Sequence, residues 1–318
     1  MVTTLPTLPL FSLPLRYFGV VARTRSVSEA ARQLHVAASA VSRQITLLEE
    51  GLGLALFERA PRGMVPTPAG ERLLAHLMAA TEQGQYLLAQ LRGLAGRPRV
   101  RLTCTEGFAA GFMADALNAF RAVSPDAQLS LRVVDPPQVN RLLQQGEADL
   151  GLKYSVSPEK EVAVLHSMTA PVMAVLRPTH PLARRRSVSV REAVQYPLVL
   201  GPTDTTSRRL FDLACSQHAV QYAATLESNL SSALLSLLGS HDILPAGYLT
   251  VAAAVALGEV RAVPFTEPEL QQRRVCLLAP GGHRPLPPVQ ALADLLVMHM
   301  TRYGKRKVRA QPLGGVRR

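Results

Sequence analysis

Residues 27–59 read VSEAARQLHVAASAVSRQITLLEEGLGLALFER, two short amphipathic stretches with a tight connection. In the first half Ala30, Ala31 and Leu34 fall on one helical face, with Ser28 where an N-cap hydroxyl would satisfy orphan amides. In the second half Val41, Ile45, Leu48 and Leu52 recur at helical period, the apolar stripe of a second helix. The opposite face of that helix carries Ser42, Arg43, Gln44 and Thr46, donors and acceptors suited to base edges and phosphates in a major groove. The small Ala31 lets the two helices cross closely, as a helix-turn-helix requires. Spacing alone leaves a second reading open, an ordinary helical hairpin with a solvated polar face.

The surrounding positions narrow this. Ala30-Ala31, Leu34, Ala40-Val41-Ser42-Arg43-Gln44-Ile45, Leu48-Glu49, Leu52-Gly53, Leu56-Phe57 and Arg59 resemble the DNA-binding segment of LysR-type transcriptional regulators. Arg62-Gly63 and Pro66-Thr67-Pro68-Ala69-Gly70 are similar to that family's wing and next helix start. So many fixed spacings over some forty residues make a specific signal, and the resemblance continues more loosely to about Tyr303. It implies an α + α/β chain. A winged helix-turn-helix over 1–67 and a linker helix and hinge over 68–98 precede a two-lobed α/β effector-binding domain over 99–303, similar to periplasmic binding proteins. Lobe I is expected at about 99–167 and 266–303, lobe II at about 168–265, and a basic, disordered tail at 304–318.

The same resemblance implies double-stranded DNA as partner, with contacts from Ser28, Ala38, Ser39, Ser42, Arg43, Gln44, Thr46, Arg59 and Arg62. Arg59 and Arg62 flank a turn at Pro61–Gly63, where a wing meets the sugar-phosphate backbone and positions rather than specifies. Ala37 and Ala38 stand where the family usually offers a serine and a glutamine. The cap of the recognition helix is therefore lost unless Ser39 takes it, at a cost of about 1 kcal/mol. Ala38 can offer only a methyl to a thymine methyl, which shifts contact load to Ser39, Ser42 and Arg43.

Composition agrees. The chain has 318 residues, enough for two or more domains, with 47% hydrophobic and 18% charged content, a folded rather than disordered balance. Net charge is +12, which favours polyanions, nucleic acid before anionic membrane. Seven of the excess charges (Arg302, Lys305, Arg306, Lys307, Arg309, Arg317 and Arg318) crowd the C-terminus without an acid, a solvated tail adding non-specific attraction. Cys104, Cys215 and Cys276 are far apart and lie in apolar segments, so core packing in a reducing compartment is expected, with no metal and no cofactor. The opening MVTTLPTLPLFSLP lacks a basic leader and is broken by prolines, and no stretch reaches membrane-spanning length. A cytoplasmic protein with no membrane partner is expected.

Taken in order, Leu15, Phe18, Val21 and Ala22 mark a helix from near Leu13 to Thr24-Arg25, the back wall of the head. Thr67-Pro68 opens a long helix, a cap hydroxyl followed by proline at the first helical position. In it Leu73, Leu77, Ala80, Gly84, Leu87, Leu91 and Leu94 step by fours and threes, a seam suited to pairing with a second copy. Packing within its own domain is the plainer alternative. The resemblance implies that this helix dimerises two heads, Leu73, Leu77, Leu87, Leu91 and Leu94 carrying the contact; a tetramer and RNA polymerase are further partners the family reading admits. Gly93, Gly96 and Pro98 end it.

Beyond Pro98 the pattern is βαβαβ with a largely parallel sheet: strand 100–104, helix 108–123, strand 128–134, helix 139–145 closed by Gly146, strand 149–154. A second set follows. It comprises strand 172–176, strand 198–200, helix 208–218, strand 223–226, helix 229–238, strand 242–244, strand 274–278 and a last helix 288–303. The segments 146–151 and 180–183 look like landmarks of the same family's effector domain, and crossovers between lobes are expected near 166–170 and 263–267.

A cleft between such lobes is lined by strand ends and helix starts, where free amides gather. The candidates for a small-molecule effector are Thr105, Glu106, Gly107 and Phe108 from one lobe, and Thr203, Thr205, Thr206, Ser228 and Asn229 from the other. Hydroxyls at helix starts are more often plain caps than ligand contacts. Glu106 stands where the family commonly has a small hydroxyl residue, so it disfavours an anionic effector; a glutamate capping its own helix is the duller reading. Gly239-Ser-His-Asp242 departs from the glycine-rich turn frequent in the family. No catalytic motif appears, and the adjacent Ser240-His241-Asp242 is not a triad, whose members meet across a fold, so no enzyme is expected. A ligand-responsive DNA-binding regulator is the favoured reading, and a cytoplasmic solute-binding protein with helices for assembly is the rival.

Overall fold

The computed structural model describes residues 12–60, 63–91, 98–109, 111–281 and 285–306. The opening residues 1–11, Arg62, Leu94, the end of the basic tail from 307, and the side chains of Arg59 and Leu91 lie outside the described residues.

The head is built from α1 (Leu13–Thr24), α2 (Val27–Leu34) and α3 (Ala38–Leu52), then the antiparallel hairpin β1 (Phe57–Ala60) and β2 (Gly63–Pro66), then α4 (Pro68–Leu91). Phe18, Val21, Ala30, Val41, Ile45 and Leu56 close its core, as the apolar spacing requires. Two boundaries are held by side chains. Glu49 Oε1 accepts from the Leu56 amide at 2.7 Å and the Phe57 amide at 3.2 Å, fixing where the wing leaves α3. Thr67 Oγ1 accepts from Gly70 N at 3.1 Å and caps α4 as expected. Gly63 has φ +116, and a Cβ there would collide with the carbonyl oxygen of Arg25, so the wing can lie against the α1–α2 turn only with glycine.

Three head expectations change. The N-cap of α2 is Ser26, whose hydroxyl accepts from Glu29 N at 3.2 Å; Ser28 sits two residues too late to cap. Leu52 is 48% exposed, because Gly53 turns the chain away before the fourth member of the stripe reaches the core. Leu77 is 3% exposed within the head's own core, with Leu73 packed beside it, so the first half of the α4 seam is used inside one chain. Among the described seam leucines, Leu87, at 49% exposure, remains open to a second copy.

The body has two lobes. Lobe I holds β3 (Arg99–Cys104), α5 (Glu106–Ala109), α6 (Phe112–Val123), β4 (Gln128–Val133), α7 (Pro136–Gln144), β5 (Leu150–Ser155) and β6 (Val162–Thr169). Lobe II holds β7 (Val172–Leu176), α8 (Val190–Ala193), β8 (Leu198–Leu200), α9 (Thr206–Gln217), β9 (Ala224–Glu227), α10 (Ser231–Leu237), β10 (Leu244–Gly247), α11 (Tyr248–Ala256), β11 (Arg261–Pro264) and a 3-10 turn at Pro268–Gln271. The chain then returns to lobe I through β12 (Arg274–Pro280) and α12 (Pro287–Arg306).

The lobe I sheet runs β4-β3-β5-β12-β6, parallel at β4-β3-β5 and antiparallel at β5-β12-β6, so it is mixed rather than largely parallel. Lobe II has an antiparallel trio, β10-β7-β11, and a parallel pair, β8-β9, joined through the bridge between Leu198 and Ile243. The first crossover is at Ala170–Pro171, at the end of the expected window. The second falls at Gln272–Arg273, not near 263–267, because Val263 belongs to β11 and Phe265 and Leu270 are buried in the lobe II core. The helix expected at 108–123 is two helices, Glu106–Ala109 and Phe112–Val123. β6, α8, α11 and β11 were not foreseen, and the strand expected at 242–244 is β10, Leu244–Gly247.

Candidate DNA-contacting face and effector cleft

The two buried residues of α3, Val41 and Ile45, point into the head core and thereby turn the rest of the helix outward. Ala38, Ser39, Ser42, Arg43 and Thr46 are exposed along it, Gln44 is half-buried, and Ser28 is exposed on α2. No ion pair holds Arg43 among the described residues. The helix starts at Ala38 after an extended Ala37 that makes no side-chain cap, and Ser39 does not replace it. The Ala40 amide donates to Ala37 O at 3.0 Å, but no side chain caps this helix start, the end where a phosphate would sit. Arg59 lies opposite Met64 in the wing hairpin.

In the body, Thr105 and Glu106 sit at the β3–α5 turn. Glu106 does not cap its own helix. Its Oε2 accepts from Ser231 N at 2.9 Å, so a lobe I carboxylate caps the start of α10 in lobe II. Gly107 faces the same seam, where an added Cβ would come within 2.9 Å of Thr250 Oγ1 on α11. Phe108 is fully buried, its ring 4.4 Å from that of Tyr154, and Tyr154 Oη lies 3.3 Å from Thr250 Oγ1. Phe108 is thus core beneath the cleft rather than lining.

From lobe II, Thr205 caps α9, accepting from Arg208 N at 3.4 Å and donating to Pro202 O at 2.8 Å. Thr203 and Asn229 are exposed, Thr206 is half-buried, and Ser228 Oγ accepts from Leu230 N at 3.2 Å. The caps keep Thr205 and Ser228 occupied, which is the plain reading of such hydroxyls. Sequence reasoning missed Arg208, which braces this loop. It donates to Asp212 at 2.9 Å, Tyr222 at 3.0 Å, Gly201 O at 3.1 Å and Glu227 at 2.8 Å. Burial works against its charge, but the bonds to Glu227, Tyr222 and Asp212 outweigh that and hold its pKa above the ordinary value. Burial, then the hydrogen bond to Asp212, pushes the Tyr222 phenol up to about 12.

The two crossovers meet at Arg273, also missed. It is 1% exposed, donates to Ala170 O at 2.8 Å and Pro171 O at 3.2 Å, and lies 3.9 Å over the Tyr154 ring. Burial lowers its pKa, opposed by Tyr154. All three cysteines are buried and unpaired; burial, then the Glu106 charge, pushes the Cys104 thiol up to about 12. His180 is buried and Nδ1 accepts from Leu182 N at 3.0 Å, holding the turn after β7. Ser240 Oγ and His241 Nδ1 are 3.0 Å apart on the surface, but Asp242 accepts from Gly239 N instead of orienting that ring.

A head with its polar helix face outward and a body of two lobes joined by two crossovers match known proteins over most of the chain. The family described as "Bacterial regulatory helix-turn-helix protein, lysR family" matches residues 14–71, and the one described as "LysR substrate binding domain" matches residues 93–301. The chain belongs to the LysR family of transcriptional regulators. Among its LysR-family relatives, the uncharacterized regulator YnfL of Escherichia coli is 27% identical, over 80% of this chain and 86% of that one. A probable nitrogen assimilation transcriptional activator of Synechococcus elongatus is also 27% identical, over 88% of this chain and 92% of its own. Full-length LysG of Corynebacterium glutamicum has the same fold at 18% identity, TM-score 0.68, covering 91% of this chain and 98% of LysG. ArgP of Mycobacterium tuberculosis does so at 19% identity, TM-score 0.63, covering 91% and 97%. As a LysR-family chain this protein is a DNA-binding transcriptional regulator with an effector-binding domain. No helix among the described residues is long and apolar enough to cross a membrane.

Proposed function

We propose that the chain reads duplex DNA with α3 and the wing, and that a small molecule between the lobes adjusts that reading. The observation that carries this is the outward, uncovered face of α3: Ser39, Ser42, Arg43 and Thr46 are exposed beside an uncapped helix start. Ser42 and Arg43 address base edges, with Gln44 beside them. Ser28, Arg59 and Arg62 address phosphates, and Ala38 offers apolar contact. Two copies paired through the far end of α4, where Leu87 is exposed, present two heads to inverted half-sites, and pairing of dimers gives a tetramer. Thr105, Glu106, Gly107, Thr203, Thr206 and Asn229 line the effector cleft, with Phe108 beneath it and Thr205 and Ser228 shaping its loops. Differential binding to open and closed lobes shifts head spacing and with it operator affinity or contact with RNA polymerase. The work is done in the cytoplasm and involves no catalytic step.

The test is operator affinity against salt for the full chain and for Arg43→Ala with Arg62→Ala. If both cations release counterions on each of the two heads of a dimer, the logarithmic salt slope falls by about 4 and affinity drops by about tenfold or more. Unchanged affinity and slope would remove DNA reading from this face and restore the solute-binding alternative.

A further inference from the structure

A cavity of about 790 Å³ lies away from the interlobe cleft, between α4 of the head and the α7 side of lobe I. That volume is in the range of small-molecule sites. One wall is the face of α4 carrying Ala75 and Ala79, reached by Arg25 from the α1–α2 turn. The facing wall brings Leu143 and Ala148 from lobe I, with Leu286 and Val289 from the start of α12. The walls are tied by Arg72 and Glu161, 2.8 Å apart, and Gly146 lies close under Ala75 and Met78.

Charge decides what such a space accepts. Arg72 is matched by Glu161, and Arg101 by Asp149 at 2.5 Å. Glu71 sits in the first turn of α4, where the helix N-terminus offsets its charge. Arg25 and Arg141 remain, one on the head and one on lobe I, both exposed and neither holding a carboxylate among the described residues. An apolar floor between two unmatched guanidinium groups complements a molecule that is apolar in body and negative at its edge.

We propose that this cavity is a second small-molecule site, distinct from the interlobe cleft, which takes a compact organic anion with an apolar body. Its place follows from the walls: a ligand held by Arg25 and Arg141 links the head to lobe I directly, without passing through lobe closure. It can therefore restrain the hinge that sets head orientation whatever the state of the cleft.

The experiment is fluorescence titration of the full chain with anilinonaphthalene sulfonate, an aromatic anion that brightens in an apolar site. Arg25→Ala with Arg141→Ala is expected to weaken binding about tenfold as two charge-assisted contacts are lost. Ala79→Trp, which fills the space from α4, is expected to abolish binding, with melting profiles run to show that both variants fold. The arginine pair is exposed and decides the matter alone if the tryptophan disturbs α4. Equal affinity in the arginine double variant overturns the proposal. So does a dye signal that survives a folded Ala79→Trp, or a parent chain that binds no dye.

Discussion

Replacing Arg273 by methionine tests whether a lone buried guanidinium holds the two crossovers together. The change keeps an unbranched apolar stem but removes the donors to Ala170 O and Pro171 O and the charge over the Tyr154 ring. Two hydrogen bonds from a charged donor are worth about 1.5–3 kcal/mol each, and a desolvated cation–π contact about 2 kcal/mol. Against this, burying an ion costs several kcal/mol, and methionine relieves that. No carboxylate is left stranded, so the net loss should be about 3 kcal/mol rather than the full sum, two dry carbonyls being the main residue of damage. For a body of this size that corresponds to a melting temperature about 6–12 °C lower. Thermal and urea unfolding of the full chain measure it. Arg273→Lys should recover little, because one ammonium cannot span both carbonyls and the ring. A methionine variant within about 0.5 kcal/mol of the parent would refute the reasoning and show that desolvation cancels the contacts.

Ala37→Ser should raise head stability by about 1 kcal/mol by giving α3 the cap it lacks, or about 4–8 °C in a head-specific melting transition; no rise would mean that the start of α3 is already satisfied by water. Burial pushes the Glu159 carboxyl up, but hydrogen bonds from Lys153, Asn140 and Ser155 outweigh it, and its pKa ends below the ordinary 4.5. A depressed carboxyl stabilises the fold above its unfolded pKa and loses that contribution as pH falls through the folded value. Unfolding free energy should therefore drop below pH 4.5, and Glu159→Gln should lower stability near neutrality while flattening that acid limb. Parallel pH curves for the two proteins would contradict this.

The head was legible because its residues carry period: Val41 and Ile45 mark a buried face, and Ser42 and Arg43 fall opposite by geometry alone. Its cap was misplaced because Ser26 and Ser28 are both acceptable hydroxyls, and only the backbone bend at Ser26 decides between them. In the body, α11 was missed for a physical reason: Tyr248–Ala256 is apolar on nearly every side, since lobe I lies against Leu249 and Ala252 and lobe II against Val251. β6 was read as a crossover because an edge strand with irregular exposure shows no alternation, and β11 for want of length. The seam of α4 was read as favouring a second copy over its own domain because periodicity cannot say which protein supplies the partner. Leu77 meets the head and Leu87 does not, a distinction that exists only in three dimensions. Arg208 and Arg273 carry no sequence signal at all, since each is defined by neighbours far along the chain.

The bond from Glu106 to the Ser231 amide means that the space between the lobes is already contested before any molecule arrives. A carboxylate fixed to the polypeptide acts as a resident competitor, at a local concentration on the order of millimolar or higher. A soluble acid seeking the same nitrogen must evict a rival that never diffuses away, and would meet its negative charge while doing so. Molecules that leave this tether in place, or that draw its second oxygen toward themselves, enter without that contest.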